Sequence, residues 1–517
     1  MKNHFVARLA NPDGSALVVS LFVLLVLSLI AITSVKTSNT EISIAGNNVR
    51  RSQAVLASEA GLARTESVLR SLPKQVNADT LMSIINAATT LPNASYQVSM
   101  ESGLPFRKVV AIGTASEANA AIQVTYQYSA NPYNIWNNAL FAGHGQDGKS
   151  INGNTGVHGS VHILGNGEPY QDQNGNGTRD TGEPYTDANH DGSYDPPLAS
   201  NEVALDMSGS AEISNNYDGL AAPLLGRLPA LAPMPYGGET VQSLMAELRV
   251  QHGQVALGGS ATVGQPNVTG GSPAIKETME AAWVTDGYTG SAASGAVYTD
   301  VGYEEEYDLD DLGPLMPNLD LPYTDGGGVT HSTYMNYLKS KAVVVSGDLK
   351  IHCPSSLPPI GSGANYLSTD ASGYLVGQGI IYVQGNIEIT GTCPVQYDGR
   401  FTLVSEGDVM VDADFYSKGT FATDDMVGVV SHGEITFGDK KSQMSVSGAF
   451  FAQEKVTVFK QTALAGTLVS NLFNMTQVPD LYQVPSLASN LSPGMPGAED
   501  VYRYSWRRVP KSWTELY

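Results

Sequence analysis

Residues 172–183, D-Q-N-G-N-G-T-R-D-T-G-E, carry the densest chemistry in the sequence. A loop that wraps a hard divalent cation needs oxygen donors at its first, third, fifth, seventh, ninth and twelfth positions, and a glycine at the sixth for the sharp turn. This run supplies them all. Asp172, Asn174 and Asn176 come first, Gly177 turns the chain, Thr178 offers its carbonyl, Asp180 acts through water, and Glu183 closes the site with both oxygens. A near copy follows in D-A-N-H-D-G-S-Y-D, giving Asp187, Asn189, Asp191, the Ser193 carbonyl and Asp195. Its twelfth position is Leu198, so the closing carboxylate is missing and must come from elsewhere. An all-oxygen donor set of this size predicts Ca2+. The plainer alternative is a polar Asn/Gly turn. The runs E-P-Y-Q-D and E-P-Y-T-D show that the unit is duplicated, and Pro169, Pro184, Pro196 and Pro197 deny both loops flanking helices. Bound calcium is therefore expected to stiffen a surface excursion between 168 and 195 without switching it.

Other constellations are weaker. Asp408, Asp412 and Asp414 in G-D-V-M-V-D-A-D match the acidic clusters of glycan-active β-helical enzymes, where carboxylates bind calcium or act as acid and base. Alternation along a strand explains them equally well as solvated groups, and no catalytic role is assigned. His144, His158 and His162 lie among glycines without a metal-ligand pattern, and no phosphate loop or nucleophile motif is present. The expectation is a chain that is not an enzyme. Arg507, Arg508 and Lys511, interleaved with Trp506 and Trp513, have the composition that grips single-stranded nucleic acid, but a formal net charge of -22 makes DNA a disfavoured partner. Cys353 and Cys393 follow equivalent strands of a repeat. In an oxidising compartment a bridge between them would close a loop of about forty residues, worth roughly 4 kcal/mol in the chain-entropy model; two free buried thiols are the alternative.

That repeat sets the fold class. V-V-V-S-G-D-L-K-I ends at Ile351, I-Y-V-Q-G-N-I-E-I at Ile389, L-V-S-E-G-D-V-M-V at Val411, V-V-S-H-G-E-I-T-F at Phe437, and F-F-A-Q-E-K-V-T-V at Val458. Each copy is too short to bury its apolar face alone, so copies must stack. A mainly β chain follows, with a large inserted β-solenoid or β-helix over 131–485 and a β-sandwich as the alternative. A helix is expected at T-V-Q-S-L-M-A-E-L-R, 240–249, and the acidic run 304–311 reads as a solvated loop. Between 93 and 128, period-two alternation, with Ile122, Val124, Tyr126 and Tyr128 on one face, predicts a small antiparallel sheet within 73–130. V-Y-R-Y-S-W-R-R-V alternates again, so 486–517 is expected to return to that sheet.

Residues 16–35 carry no charge and reach roughly 30 Å as a helix, the thickness of a bilayer core. Lys2 and Arg8 hold the short N-terminus in the cytoplasm, so the rest is extracytoplasmic. Apolar residues at helical spacing continue through Ile42, Ala45, Val49, Leu56, Ala60, Ala63, Val68, Leu69 and Leu72 before Pro73, which predicts one helix over 15–72. The polar leader 1–14, the Gly14/Ser15 junction, A-L-V-V-S-L-F-V-L-L-V-L-S, and I-A-G-N-N-V-R-R-S-Q-A-V-L-A-S-E-A-G-L-A-R downstream resemble the N-terminus of PilX-type minor pilins.

The resemblance implies cleavage after Gly14 by a prepilin peptidase and methylation of the new terminus. It also implies residence in the inner membrane with its assembly platform, then incorporation with major and minor pilins into a type IV pilus at the cell surface, the small sheet being the pilin head. Major pilins carry a glutamate at the fifth mature position, where this chain has Val19. A subunit without that carboxylate leaves a neighbour's buried N-terminal ammonium unpartnered. A place at or near the filament tip, with a role in assembly and adhesion, is therefore expected. The rivals are a DNA-binding competence pilin and a membrane-anchored β-helical glycan-active enzyme.

Overall fold

The computed structural model describes residues 12–516 apart from 72–77, 88, 102–105, 149–150, 177, 269–273, 293–294, 302–305, 310–312, 476–477, 499–500 and 510–511. Residues 1–11, Pro73, Gly177, Lys511 and parts of the acidic run lie outside the described residues, as do the side chains of Ser15, Trp506, Arg507 and Arg508. The chain forms two units, Met1–Asn131 with Tyr502–Tyr517, and Pro132–Val501.

The first unit is built on the helix Pro12–Ser71, which opens on a proline at a position where the missing N–H costs nothing. Ala16–Leu69 is long and apolar enough to cross a membrane, and its most apolar window has a mean hydropathy of 2.9. The residues from Leu17 to Val35 are exposed all round. Further on, Ala54, Ala57, Ser58, Leu62, Thr65, Val68 and Leu69 form a buried stripe at helical spacing, and the Ser58 and Thr65 hydroxyls donate to carbonyls one turn back. Ile42, Val49 and Leu56, which continue the apolar spacing, are exposed. Small residues win the packed face because the sheet comes close: a Cβ on Gly113 would stand 1.9 Å from the Ala54 carbonyl oxygen. Ala78–Ile85 adds a short helix whose Leu81 and Ile85 are buried.

The strands Ala94–Met100, Phe106–Ala115 and Ala118–Tyr133 are antiparallel neighbours, with Val98 opposite Ala111 and Val109 opposite Val124. Ile122, Val124 and Tyr126 are buried, as their alternation requires. The C-terminal strand Val501–Arg508 pairs with Ala118–Tyr133, as does Thr514–Leu516, antiparallel to it. Arg51 meets Glu515 at 3.2 Å.

The second unit is almost wholly β. Parallel pairing runs through ten strands and lines up one residue from each: Val343, Ile381, Leu403, Val429, Phe450, Leu468, Leu140, Val161, Leu248 and Ala282. A second file holds Ile351, Ile389, Val411, Phe437 and Val458, the five ends of the sequence repeat, and continues to Met475. A third holds Val395, Phe415, Val446, Leu464, Leu481, Val157, Ile213 and Val263. All but Val343 of these files are buried, and each fully buried Val, Leu, Ile or Phe contributes about 1.5–3 kcal/mol.

The polar positions of the repeat have their own work. Asp348 Oδ1 accepts from the Asn386 backbone N–H, Asn386 Oδ1 from Asp408, and Asp408 Oδ1 from Glu434, each at 2.9 Å. One side-chain oxygen per rung thus caps the next.

The stack does not follow chain order. Thr462–Met475 pairs with Leu140–Gln146, so residues 140–284 continue beyond residues 343–475, and the chain must travel back from one end to the other. Residues 306–309 and 313–342 do so, touching the rungs in reverse. Asp308 meets Arg249 at 2.8 Å, Tyr307 hydrogen-bonds His162 at 2.8 Å, and the Leu319 N–H donates to Gln453 at 3.0 Å. Beyond them Asp320 meets His432 at 2.9 Å and Lys339 meets Glu406 at 3.0 Å.

Two expectations are corrected. The segment 240–249 forms no helix: Glu239–Gln242 and Glu247–Val250 are strands, because parallel partners on both sides of Leu248 and Val250 outweigh helical propensity. The large domain does not end at 485 either, since Leu487 and Met495 belong to its core and the boundary falls at Val501. Cys353 and Cys393 are disulfide-bonded, with Cα atoms 5.5 Å apart.

Candidate functional site

The two oxygen-rich loops of the second unit are joined by an isolated antiparallel bridge between Tyr170 and Tyr185. Around it the Gln171 N–H donates to the Pro184 carbonyl at 2.9 Å and the Thr186 N–H to the Pro169 carbonyl at 2.8 Å. The duplicated E-P-Y motifs therefore face each other. Arg179 is wedged between rings, its guanidinium carbon 4.5 Å from the centroids of both Tyr185 and Tyr194.

In the first loop Asp172 Oδ1 accepts from the Gly175 N–H at 2.6 Å, and the side chains of Asn174 and Asn176 both reach Asp180 Oδ2, at 2.6 and 2.8 Å. The Thr178 N–H donates to Asn176 Oδ1. Glu183 closes the loop: one oxygen accepts from the Gln173 N–H at 2.8 Å and the other from Asp180 at 2.9 Å. The second loop repeats the pattern. Asp187 accepts from Asp191 and Gly192, Asn189 donates to Asp195 at 2.8 Å, and the Ser193 N–H donates to Asp191 at 2.7 Å.

The second loop's closing carboxylate is Glu168, which lies upstream of both loops. Its Oε1 accepts from the Ala188 N–H at 2.7 Å and its Oε2 from Asp195 at 3.1 Å. Ala188 and Asp195 occupy the same second and ninth loop positions that Glu183 engages in the first loop. Glu168 is 1% exposed. Its signal was present in the sequence: Glu168 precedes Pro169-Tyr170 as Glu183 precedes Pro184-Tyr185, so the duplication supplies two glutamates for two loops.

Burial pushes the Glu168 carboxyl up, aided by Asp195 and Asp187 and opposed by the two backbone N–H groups. Asp195 is likewise raised, first by burial. Among the described residues no three His, Cys, Asp or Glu side chains converge as a metal-binding group. The carboxylates instead alternate with asparagine amides and backbone N–H groups. The second loop also rests on the stack through His190, which lies 3.2 Å from Glu454 and 3.9 Å from Glu434.

The remaining sequence candidates are engaged structurally. Asp412 is buried and accepts from the Lys440 N–H, while Asp414 accepts from Ser445 and pairs with Lys441 at 2.9 Å. His144 Nδ1 lies 2.7 Å from the Asn166 carbonyl. His158 stacks on Tyr482 and contacts Ser214 Oγ at 2.7 Å, and burial lowers it to about 4. His162 sits between the Tyr133 and Tyr307 hydroxyls, likewise depressed by burial.

Gly14 and Ser15 lie in the first turns of the long helix. No curated protein matches the chain significantly. Among solved structures it is similar to the competence-associated pilin ComZ from Thermus thermophilus, at 18% identity over 89% of this chain and 98% of that one, with a TM-score of 0.48. Residues 13–63 match the family model described as PilX N-terminal. The segment containing the uncharged run and the start of the packed stripe is thus similar to the PilX N-terminal family.

Proposed function

We propose that the chain is a minor pilin of a type IV pilus: held in the inner membrane by its N-terminal helix, cut after Gly14 by a prepilin peptidase, and passed by the assembly platform into a filament of other minor and major pilins. The observation that carries this reading is the coincidence of the PilX N-terminal match with a helix exposed over its uncharged run and packed against a small antiparallel sheet from Ala54 onward. Val19 at the fifth mature position favours a place at or near the tip, because a neighbour's ammonium would find no carboxylate in the apolar filament core.

The large domain is read as an inserted β-solenoid; in-register parallel files through ten strands support this. Its role is structural and adhesive, not catalytic. Calcium in both loops would stiffen its surface. Asp172, Asn174, Asn176, the Thr178 carbonyl, Asp180 and Glu183 would hold one ion, and Asp187, Asn189, Asp191, the Ser193 carbonyl, Asp195 and Glu168 the other. The donor set is all oxygen, and the third, fifth and ninth side chains of the first loop already converge within hydrogen-bond reach, which fits a hard cation.

The test is the mass of the N-terminal peptide from cell envelopes with and without the prepilin peptidase, together with the composition of sheared filaments. Cleavage before Ser15 and recovery of the chain in filaments are expected. An uncut leader and filaments free of the chain would refute the reading.

A further inference from the structure

At the 343–353 end of the stack lies a groove that nothing described so far uses. It holds about 340 Å3, within the range of about 300–1,000 Å3 that small-molecule sites occupy. Buried Ile351, Leu375 and Val395 make its apolar base. Ser355, Thr369, Ser372, Tyr374, His352 and Gln396 are the polar residues of its lining. No Asp, Glu, Lys or Arg lines it, in a chain whose net charge is -22.

The groove is also pre-organised. The Cys353–Cys393 disulfide fixes one wall. The opposite turn is tied by Asp370 Oδ1, which accepts from the Ser372 N–H at 2.9 Å and the Tyr374 N–H at 2.8 Å. Lys418 holds the Tyr374 ring, its ammonium 4.5 Å from the centroid, and is itself anchored by Asp398 at 2.7 Å.

This lining selects among ligand classes. An ionic ligand would find no countercharge, and an apolar one would strip water from hydroxyls and an amide without replacing those hydrogen bonds. A saccharide ring offers hydroxyls to the polar groups and a C–H face to the apolar base. We propose that this groove binds one or two rings of a neutral oligosaccharide. The proposal rests on the adhesive reading of the second unit and gives it a ligand.

The full chain in detergent is titrated with maltose, cellobiose and diacetylchitobiose up to about 10 mM, a range that resolves millimolar dissociation constants, with binding followed by ligand-observed NMR. At least one sugar should bind. Ser372→Trp, in an exposed turn, should fill the groove and weaken binding by roughly tenfold or more with an unchanged melting curve, and Gln396→Ala should weaken it less. No saccharide bound by the folded chain, or equal binding by Ser372→Trp, would overturn the proposal. Cells carrying the chain then separate the two readings. Sugar binding without any gain in adhesion sinks the adhesive role and leaves the groove standing; adhesion without sugar binding does the reverse.

Discussion

Replacing Glu168 by glutamine tests whether two loops share one design. The side chain is buried and each carboxylate oxygen receives one backbone N–H, from Ala188 and from Asp195. Glutamine keeps the shape but turns an NH2 toward one of those donors, so in chelator the change costs about 1–3 kcal/mol, offset in part by no longer burying a charge. The calcium-dependent part is separable. Extracellular modules bind calcium with dissociation constants of about 0.1–1 mM, so at about 10 mM each filled loop adds about 1.4–2.7 kcal/mol by mass action.

Calorimetric titration of the full chain should then give two ions for the parent, one for Glu168→Gln, one for Glu183→Gln and none for the double variant. Hydrogen exchange should show calcium protection lost at 187–195 for the first variant and at 172–183 for the second. If Glu168→Gln still binds two ions with parental affinity, or empties the first loop in place of the second, the equivalence of Glu168 and Glu183 is wrong.

Two further outcomes concern the stack. His158 is buried and held near 4, whereas in the unfolded chain it titrates near 6.5, so the unfolded state takes up a proton first as pH falls; stability present above 6.5 declines toward pH 4, by about 3 kcal/mol in all. Urea unfolding of the parent and of His158→Gln at pH 7 and pH 5 should show a steeper pH loss in the parent, and parallel losses would exclude this histidine as the cause. Asp408 caps the Glu434 N–H as Asn386 caps Asp408 one rung before. Asp408→Asn should therefore be nearly neutral and Asp408→Ala should cost about 1 kcal/mol in thermal unfolding. Equal damage from both would mean that the charge, not the cap, matters there.

Much of this was legible because the relevant forces are local or periodic. The uncharged run, the alternation through Ile122, Val124 and Tyr126, and the five repeat ends state their environments directly. The oxygen-bearing side chains of the 172–183 loop are likewise close in sequence, and they meet by local hydrogen bonds. Glu168 was missed because closure of the second loop is not local: its donors sit twenty and twenty-seven residues downstream, brought back by the Tyr170–Tyr185 bridge. The false helix at 240–249 has the same origin. Val241, Leu244 and Leu248 are spaced for one helical face, and only partners contributed by residues 161–163 and 281–284 make Glu247–Val250 a strand.

The order of the stack is the deepest case. A repeat reveals that copies pack on one another but not which copy comes next, because every rung offers the same apolar file and the same parallel edge. What breaks the degeneracy is polar and specific. Arg249, 1% exposed, is paired with Glu247 of its own strand and with Asp308, so its buried guanidinium gains a second carboxylate where the returning segment crosses its rung. Gln453 accepts from the Leu319 N–H and donates to Asn318, and Asp320 raises His432 by hydrogen bonding to it. The returning segment meets these rungs in the reverse of their stacking order, so the apolar files supply the drive to stack while buried charges and amides choose the one threading in which all of them are met.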